Sequence, residues 1–318
     1  MPDHSRPRAE TRAETRAETR AETRAETRAE TRAETRAEVL AAVPTFFDAS
    51  GELDQATTKA HFADLAHRVD GVFVCGTTGE FPALDRAERA MVTEAALAVF
   101  GQDRVVAHVG AAATREAVAL TREAVALGAR RVAVLTPYYL PADAGAVLRH
   151  FGAVARAAGP AAVYGYLFSE RTGVSVEPAE FAAIAAETGL AGAKLSGLAS
   201  ERFADYRDAL PGGARLWSGA DTRLAEVVRL GGAGVVSGLS SAFPEPFALL
   251  ADAVANGDAG AERSAQARAD EVLATLGGTV EGIKLALRHL GRGTGALRMP
   301  APEIDPETRR RIARLAAR

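Results

Sequence analysis

From Val39 onward, short apolar runs alternate with longer segments whose apolar residues recur at helical spacing. The runs Leu40–Phe46, Gly71–Cys75, Val105–Val109, Arg131–Leu135, Ala161–Tyr166, Leu190–Leu195, Leu216–Ser218 and Gly234–Ser237 have the length of buried strands. Helical patterns fill the intervals: Thr57–Val69, Arg86–Phe100, Thr114–Leu127, Ala144–Ala157, Pro178–Thr188, a short one near Ser200–Ala209, Thr222–Leu230 and Pro246–Asn256. Strict βα alternation implies parallel strands with right-handed crossovers. Eight such units over residues 39–256, with no break in composition, predict an α/β fold in the form of a closed (β/α)₈ barrel. Past Gly257 the pattern is wholly helical (Ala259–Leu276, Val280–Leu290, Pro306–Ala317), so residues 257–318 are read as an appended helical segment.

The front of the chain is different. Residues 8–35 are seven copies of Arg-Ala-Glu-Thr, and an eighth Arg-Ala-Glu runs into Val39. A four-residue period stacks Arg8 over Arg12 and Glu10 over Glu14, so each i,i+4 pair is like-charged. No apolar stripe is present to dock such a helix. Residues 1–38 are therefore read as a solvated, disordered tail outside the fold. The tail holds nine arginines and nine acids, so the net charge of −3 belongs to the remainder.

That balance excludes the concentrated basic face of a nucleic-acid binder. No apolar run reaches the roughly 18 residues a membrane span needs, and no basic segment leads into an apolar stretch as in a secretory signal. The single cysteine, Cys75, forbids an internal disulfide and suits a reducing cytoplasm; within its apolar run it reads as a small buried hydrophobe. The histidines are scattered, without the close pairs of a metal site.

In barrels of this kind chemistry sits where strands end. Those positions hold Gly76-Thr-Thr-Gly-Glu80, Thr136-Pro-Tyr-Tyr139, Tyr166, Lys194, Ser218-Gly-Ala-Asp221 and Ser237-Gly-Leu-Ser-Ser241. The chain has three lysines against thirty-five arginines. Lys59 and Lys284 fall in helical patterns, where a solvated stem explains them. Lys194 lies in an apolar strand, where a cation is costly unless paired, neutralised or used. Burial favours the neutral, nucleophilic form of an amine, which a guanidinium cannot supply. The alternative is a lysine paired with a carboxylate such as Asp221. Four of the five tyrosines (Tyr138, Tyr139, Tyr164 and Tyr166) cluster at the ends of two neighbouring strands, as a site using phenols for proton transfer would require. Thr77 and Thr78 offer hydroxyls beside them, although Gly76 and Gly79 serve a tight turn equally well. Arg171 could bind a carboxylate bidentately or stand as a solvated loop cation.

Taken in order, Gly76-Thr-Thr-Gly-Glu80, Thr136-Pro-Tyr-Tyr139, Arg171-Thr-Gly173, Gly192-Ala-Lys194, Ser218-Gly-Ala-Asp221 and Gly231-Gly-Ala-Gly-Val-Val-Ser237 resemble the dihydrodipicolinate synthase/N-acetylneuraminate lyase family of class I aldolases. The resemblance runs from about Val39 to Pro302. It implies that Lys194 is the Schiff-base lysine, with a strand-5 tyrosine, Tyr166 or Tyr164, as general acid/base. Thr77 would join a proton relay, and Thr78, with Gly76 and Ser237 nearby, would help hold a 2-oxo acid. Tyr139 would reach into a neighbouring subunit, implying a homodimer or homotetramer, and Arg171 would take a second substrate's carboxylate. The chain departs from the family at Tyr166-Leu-Phe-Ser169, where Tyr-Asn-x-Pro is usual, at Leu195 in place of an acidic residue, and at Phe81-Pro82.

The resemblance implies a lyase that forms a Schiff base with pyruvate or a related 2-oxo acid, then makes or breaks a C–C bond without metal or organic cofactor. Three alternatives stay open: an aldolase or dehydratase for 2-keto-3-deoxy sugar acids, a non-catalytic 2-oxo acid sensor, and a barrel binding a phosphorylated ligand or flavin at Ser237-Gly238. The cluster Gly231–Gly234 precedes strand 8 and lies at the wrong end for the last of these.

Overall fold

The computed structural model describes residues 36–318. Eight parallel strands close into a barrel in chain order: β1 (Glu38–Ala42), β2 (Gly71–Val74), β3 (Val105–His108), β4 (Arg131–Leu135), β5 (Ala162–Leu167), β6 (Gly192–Leu195), β7 (Arg215–Ser218) and β8 (Gly234–Ser237). The seam is the β1–β8 pair, in register from Glu38↔Gly234 to Ala41↔Ser237. The main helices are α1 (Gln55–Leu65), α2 (Arg86–Phe100), α3 (Thr114–Ala126), α4 (Ala144–Ala158), α5 (Pro178–Thr188), α6 (Phe203–Ala209), α7 (Leu224–Arg229) and α8 (Pro244–Asn256), followed by α9 (Ala259–Leu276), α10 (Val280–His289) and α11 (Pro306–Ala316). Side chains of Asp54, Asp85, Asp143, Asp258 and Asp305 cap helices by accepting backbone N–H groups of the first turn.

Alternate strand residues build two cores. Leu40, Phe73, Val106, Tyr164, Tyr166, Trp217 and Val236 fill the barrel, while Val39, Val72, Val132, Val163 and Leu195 pack outward on the helices. Two strands need glycine where they approach a neighbour. A β-carbon on Gly192 (φ +147°) would lie 1.8 Å from the Arg215 carbonyl oxygen, and one on Gly234 (φ +140°) 2.0 Å from that of Glu38.

Several elements differ from expectation. The strand expected over Leu40–Phe46 stops at Ala42, because Pro44 has no N–H to give a ladder, and it starts earlier, at Glu38. Arg36 pairs with Asp70 and, at 2.8 Å, with Asp252. Glu38 takes Trp217 Nε1–H at 2.8 Å, Arg215 at 2.8 Å and Arg131 at 3.3 Å, sealing the N-terminal end of the barrel. Arg36–Glu38 thus belong to the folded body rather than to the tail; the rest of the expected tail lies outside the described residues. The helix expected near Ser200–Ala209 is broken at Arg202 (φ −94°, ψ 28°) into Leu198–Glu201 and α6.

The C-terminal segment is not wholly helical. Residues 290–305 run irregularly between α10 and α11, where Gly291, Gly293 and Gly295 take positive φ and Pro300 and Pro302 forbid a helix. Among the described residues no helix is long and apolar enough to cross a membrane.

Candidate active site

On β6, Gly192 and Lys194 point into the barrel while Ala193 and Leu195 point to the helices, following the period-two rule. Lys194 is 6% exposed. Its Nζ stands 4.4 Å from the ring centre of Tyr166, the residue opposite it on β5, and 4.6 Å from that of Phe73. Among the described residues no carboxylate forms an ion pair with it. Asp221, the partner a structural lysine would want, is occupied: it accepts from the Ser237 hydroxyl and from Leu239 N–H at 3.1 Å. Ser237 is spent in the same contact, its oxygen also accepting Ser240 N–H at 2.9 Å.

The two candidate tyrosines separate by depth. Tyr166 is buried, and its hydroxyl lies 3.2 Å from Thr77 Oγ1. Tyr164, two residues deeper, has its ring edge-on to Trp217 at 4.9 Å and faces Arg131 at 5.8 Å. The tyrosine beside the lysine and a hydroxyl is therefore Tyr166.

Thr77 and Thr78 ride on a tight loop after β2. Cys75 and Glu80 bracket it, both in the left-handed region (φ 55° and 52°). Glu80 N–H closes the turn on the Thr77 carbonyl at 3.0 Å, and the Thr45 hydroxyl holds the Gly79 carbonyl at 2.7 Å. Gly76 has a packing reason: a β-carbon there would sit 2.8 Å from the Phe73 ring that walls Lys194. Thr78 abuts the loop after β8, where a β-carbon on Gly238 would lie 3.4 Å from its hydroxyl.

Glu80 is 1% exposed and its carboxylate is fully used. It pairs with Lys284 Nζ and accepts the N–H groups of Arg298 at 2.9 Å and Met299 at 2.8 Å. Lys284 is not a solvated stem: it is 2% exposed and also donates to the Ala296 carbonyl at 2.8 Å. Burial pulls its pKa below the ordinary lysine value, and the Glu80 carboxylate opposes that pull.

His108 is another buried polar group at this end. Its Nδ1 lies 2.8 Å from the Cys75 carbonyl, which makes Nδ1 the protonated nitrogen, and Nε2 has no partner. The ring packs against Phe81 at 4.6 Å and Tyr166 at 5.8 Å. Burial first, and then the Arg89 guanidinium, hold its pKa well below the usual histidine range. Cys75 is buried as expected, and burial pushes its thiol up.

Two expected residues stand apart. Tyr139 is 91% exposed with φ 81°, next to Leu140 at 72%. Arg171 is exposed and stacks over Phe168 at 5.8 Å. Among the described residues neither is hydrogen-bonded to Lys194, Tyr166 or Thr77. No cluster of metal-ligating side chains occurs among them.

A barrel with this rim matches a known family: residues 35–318 fit the model of the dihydrodipicolinate synthetase family. The chain belongs to that family. A DapA-like lyase of Halobacterium salinarum, itself uncharacterized, is 38% identical over 271 residues, covering 84% of this chain and 88% of the relative. The 4-hydroxy-tetrahydrodipicolinate synthase 1 of Streptomyces coelicolor is 34% identical over 278 residues, covering 85% and 89%. Among solved structures, the family member YagE of E. coli K12 in complex with pyruvate superposes with a TM-score of 0.80 at 26% identity, covering 88% of this chain and 97% of its own.

For a member of the dihydrodipicolinate synthetase family, the structure brings Lys194, Tyr166 and Thr77 together around Phe73. Glu80 and His108 are the additions sequence reasoning missed. For His108 the available signal was its place two residues after Val106 on the inward face of β3. For Glu80 there was none beyond its position in the motif.

Proposed function

We propose that this family lyase forms a Schiff base between Lys194 and pyruvate or a related 2-oxo acid. The observation that carries the reading is Lys194 Nζ, buried without a carboxylate partner and set 4.4 Å from the Tyr166 ring, whose hydroxyl meets Thr77. The neutral amine attacks the ketone carbon; loss of water from the carbinolamine leaves an iminium. The iminium draws electrons from the adjacent carbon, so a C3 proton, or a C3–C4 bond, can break to give an enamine. Tyr166 is the group placed to move the protons, with Thr77 as its relay. In the synthase direction the enamine adds to an aldehyde; in the lyase direction it results from C–C cleavage. The reaction so drawn calls on no metal or organic cofactor.

Thr78 would help orient the substrate carboxylate, together with loop N–H groups near Gly76. Tyr139, 91% exposed and among the described residues not hydrogen-bonded to Lys194, Tyr166 or Thr77, would serve a neighbouring subunit, in a homodimer or homotetramer. The slightly acidic balance, a net charge of −3, and the lone buried Cys75 suit a cytoplasmic enzyme acting on a small molecule.

A second reading concerns the substrate. Arg171 stacks on Phe168, and among the described residues it makes no hydrogen bond to Lys194, Tyr166 or Thr77, so it is not drawn toward the place of the second carboxylate that an amino-acid-derived aldehyde would bring. This favours a hydroxylated 2-keto-3-deoxy sugar acid, cleaved or dehydrated, over aspartate semialdehyde.

Borohydride reduction in the presence of pyruvate tests the chemistry. The expected result is a covalent mass increase on the peptide containing Lys194. No adduct, or the same adduct in Lys194→Ala, overturns it. Comparing turnover of aspartate semialdehyde with that of sugar-derived 2-oxo acids then decides the substrate.

A further inference from the structure

The loop that carries Thr77 is gripped from far along the chain. Both carboxylate oxygens of Glu80 are held by the C-terminal segment, one by Lys284 on α10 and the other by the N–H groups of Arg298 and Met299. The Arg298 side chain extends the grip to either side of the loop, reaching the Gly51 carbonyl at 2.7 Å, the Ala83 carbonyl at 3.0 Å and Glu88 at 2.7 and 2.6 Å. Lys284 and Arg298 both lie over the Phe47 ring, at 4.3 and 4.4 Å.

Two physical facts give this grip a purpose. A buried ion pair is a poor source of stability, because desolvation offsets its Coulomb attraction, so its value lies in fixing one geometry. A non-glycine residue in the left-handed region persists only where its surroundings over-determine it, and Glu80 sits there at φ 52°, three residues from Thr77.

The geometry points to Glu80 as a positioning residue: clamped by Lys284 and the Arg298–Met299 amides, it sets the turn that aims the Thr77 hydroxyl at Tyr166. The C-terminal segment is then part of what fixes proton transfer, although it touches no reacting atom. The inference rests on the Schiff-base reading above.

The test uses the full chain and pyruvate alone. Exchange of the pyruvate methyl protons in D2O, followed by NMR, reads proton transfer at the enamine, while borohydride trapping reads adduct formation. Glu80→Gln and Lys284→Met are expected to trap the Lys194 adduct as the parent does but to exchange roughly 10- to 100-fold more slowly, the scale of a small misplacement in a catalytic array. The double variant leaves no unpaired buried charge but still lacks the Lys284 clamp, so exchange should stay about as slow as in the singles. Should Glu80→Gln not fold, Lys284→Met decides, because it leaves Glu80 its amide donors. Parental exchange rates in folded single variants, or a folded double variant restored to the parental rate, overturn the inference while the adduct stands. A parent enzyme that gives no adduct at Lys194 sinks the Schiff-base reading and this inference with it.

Discussion

The hydroxyls of Thr77, on the loop after β2, and Tyr166, on β5, meet at 3.2 Å across the barrel mouth, although β2 and β5 are not neighbours in the sheet. The contact favours Tyr166, rather than Tyr164, for the proposed role of passing a proton out of the lysine pocket. Tyr166→Phe should therefore trap pyruvate on Lys194 but lose about 10²- to 10⁴-fold in kcat, the usual worth of a placed acid/base. Tyr164→Phe should stay within a few-fold of the parent. Steady-state kinetics on the two variants decides; equal losses would mean that the depth of the two rings does not sort their roles.

The barrel was legible because period-two strands and period-3.6 helices alternate eight times, and Lys194 stood out because an apolar strand has few reasons to hold a cation. What stayed hidden depended on long-range pairing. Tyr164 and Tyr166 share a face, so alternation cannot rank them; their depth relative to Trp217 and Thr77 can. Lys284 looked like a solvated helix residue because its partner, Glu80, lies 204 residues away in a loop. Arg36 and Glu38 looked like more of the repeat, since nothing local reveals Asp70 below one or Trp217 beside the other.

Glu38 gives a stability prediction. Its carboxylate is shared by Trp217 Nε1, Arg131 and Arg215, and both guanidinium groups stack on the Trp217 ring at 5.2 and 5.3 Å. Glu38→Ala strips acceptors from three donors at the barrel floor, and should cost about 1.5–3 kcal/mol, the scale for hydrogen bonds to a charged group. Denaturant unfolding followed by Trp217 fluorescence measures it. A loss below about 0.5 kcal/mol would show that water replaces the carboxylate freely.

Gly192→Ala should be worse. The new β-carbon meets the Arg215 carbonyl oxygen at 1.8 Å and carries a φ of +147° that alanine resists. Strain of about 1–3 kcal/mol is expected from the backbone alone, and the β6–β7 separation must also open. Because Lys194 is two residues away, adduct formation should slow as well. Gly212→Ala, with nothing within 4 Å, is the control and should stay within about 0.5 kcal/mol of the parent.

Acid should destabilise the fold through buried histidines. Burial lowers His61 to about 3 and His150 to about 4, from 6.5. Above pH 6.5 neither the folded nor the unfolded chain protonates them, so they leave stability unchanged. Below it the unfolded chain takes up protons that the fold refuses. Each histidine then removes about 1.4 kcal/mol per pH unit until the pH reaches its folded value. His61 has no partner at either ring nitrogen and packs edge-on to Phe46 at 5.1 Å, so phenylalanine can take its place. His61→Phe should flatten the pH dependence of unfolding between pH 6 and 4 by about one proton's slope. An unchanged slope would mean that the imidazole finds water in the fold.

Tyr139 tests assembly and catalysis together. Its ring is 91% exposed, its backbone is held at φ 81°, and Leu140 beside it is 72% exposed, so this corner of the barrel mouth presents apolar surface that a second copy could cover. If the tyrosine serves a neighbour's site, Tyr139→Ala and Lys194→Ala should each be inactive or nearly so, yet mixing them under conditions that exchange subunits should restore activity. The restored sites would pair an intact Lys194 from one subunit with an intact Tyr139 from the other. Were Tyr139 to act within its own barrel, every mixed assembly would still lack one of the two groups at each site, and no activity would return. Sedimentation of the two variants alone separates lost assembly from lost chemistry, since complementation requires that both still associate.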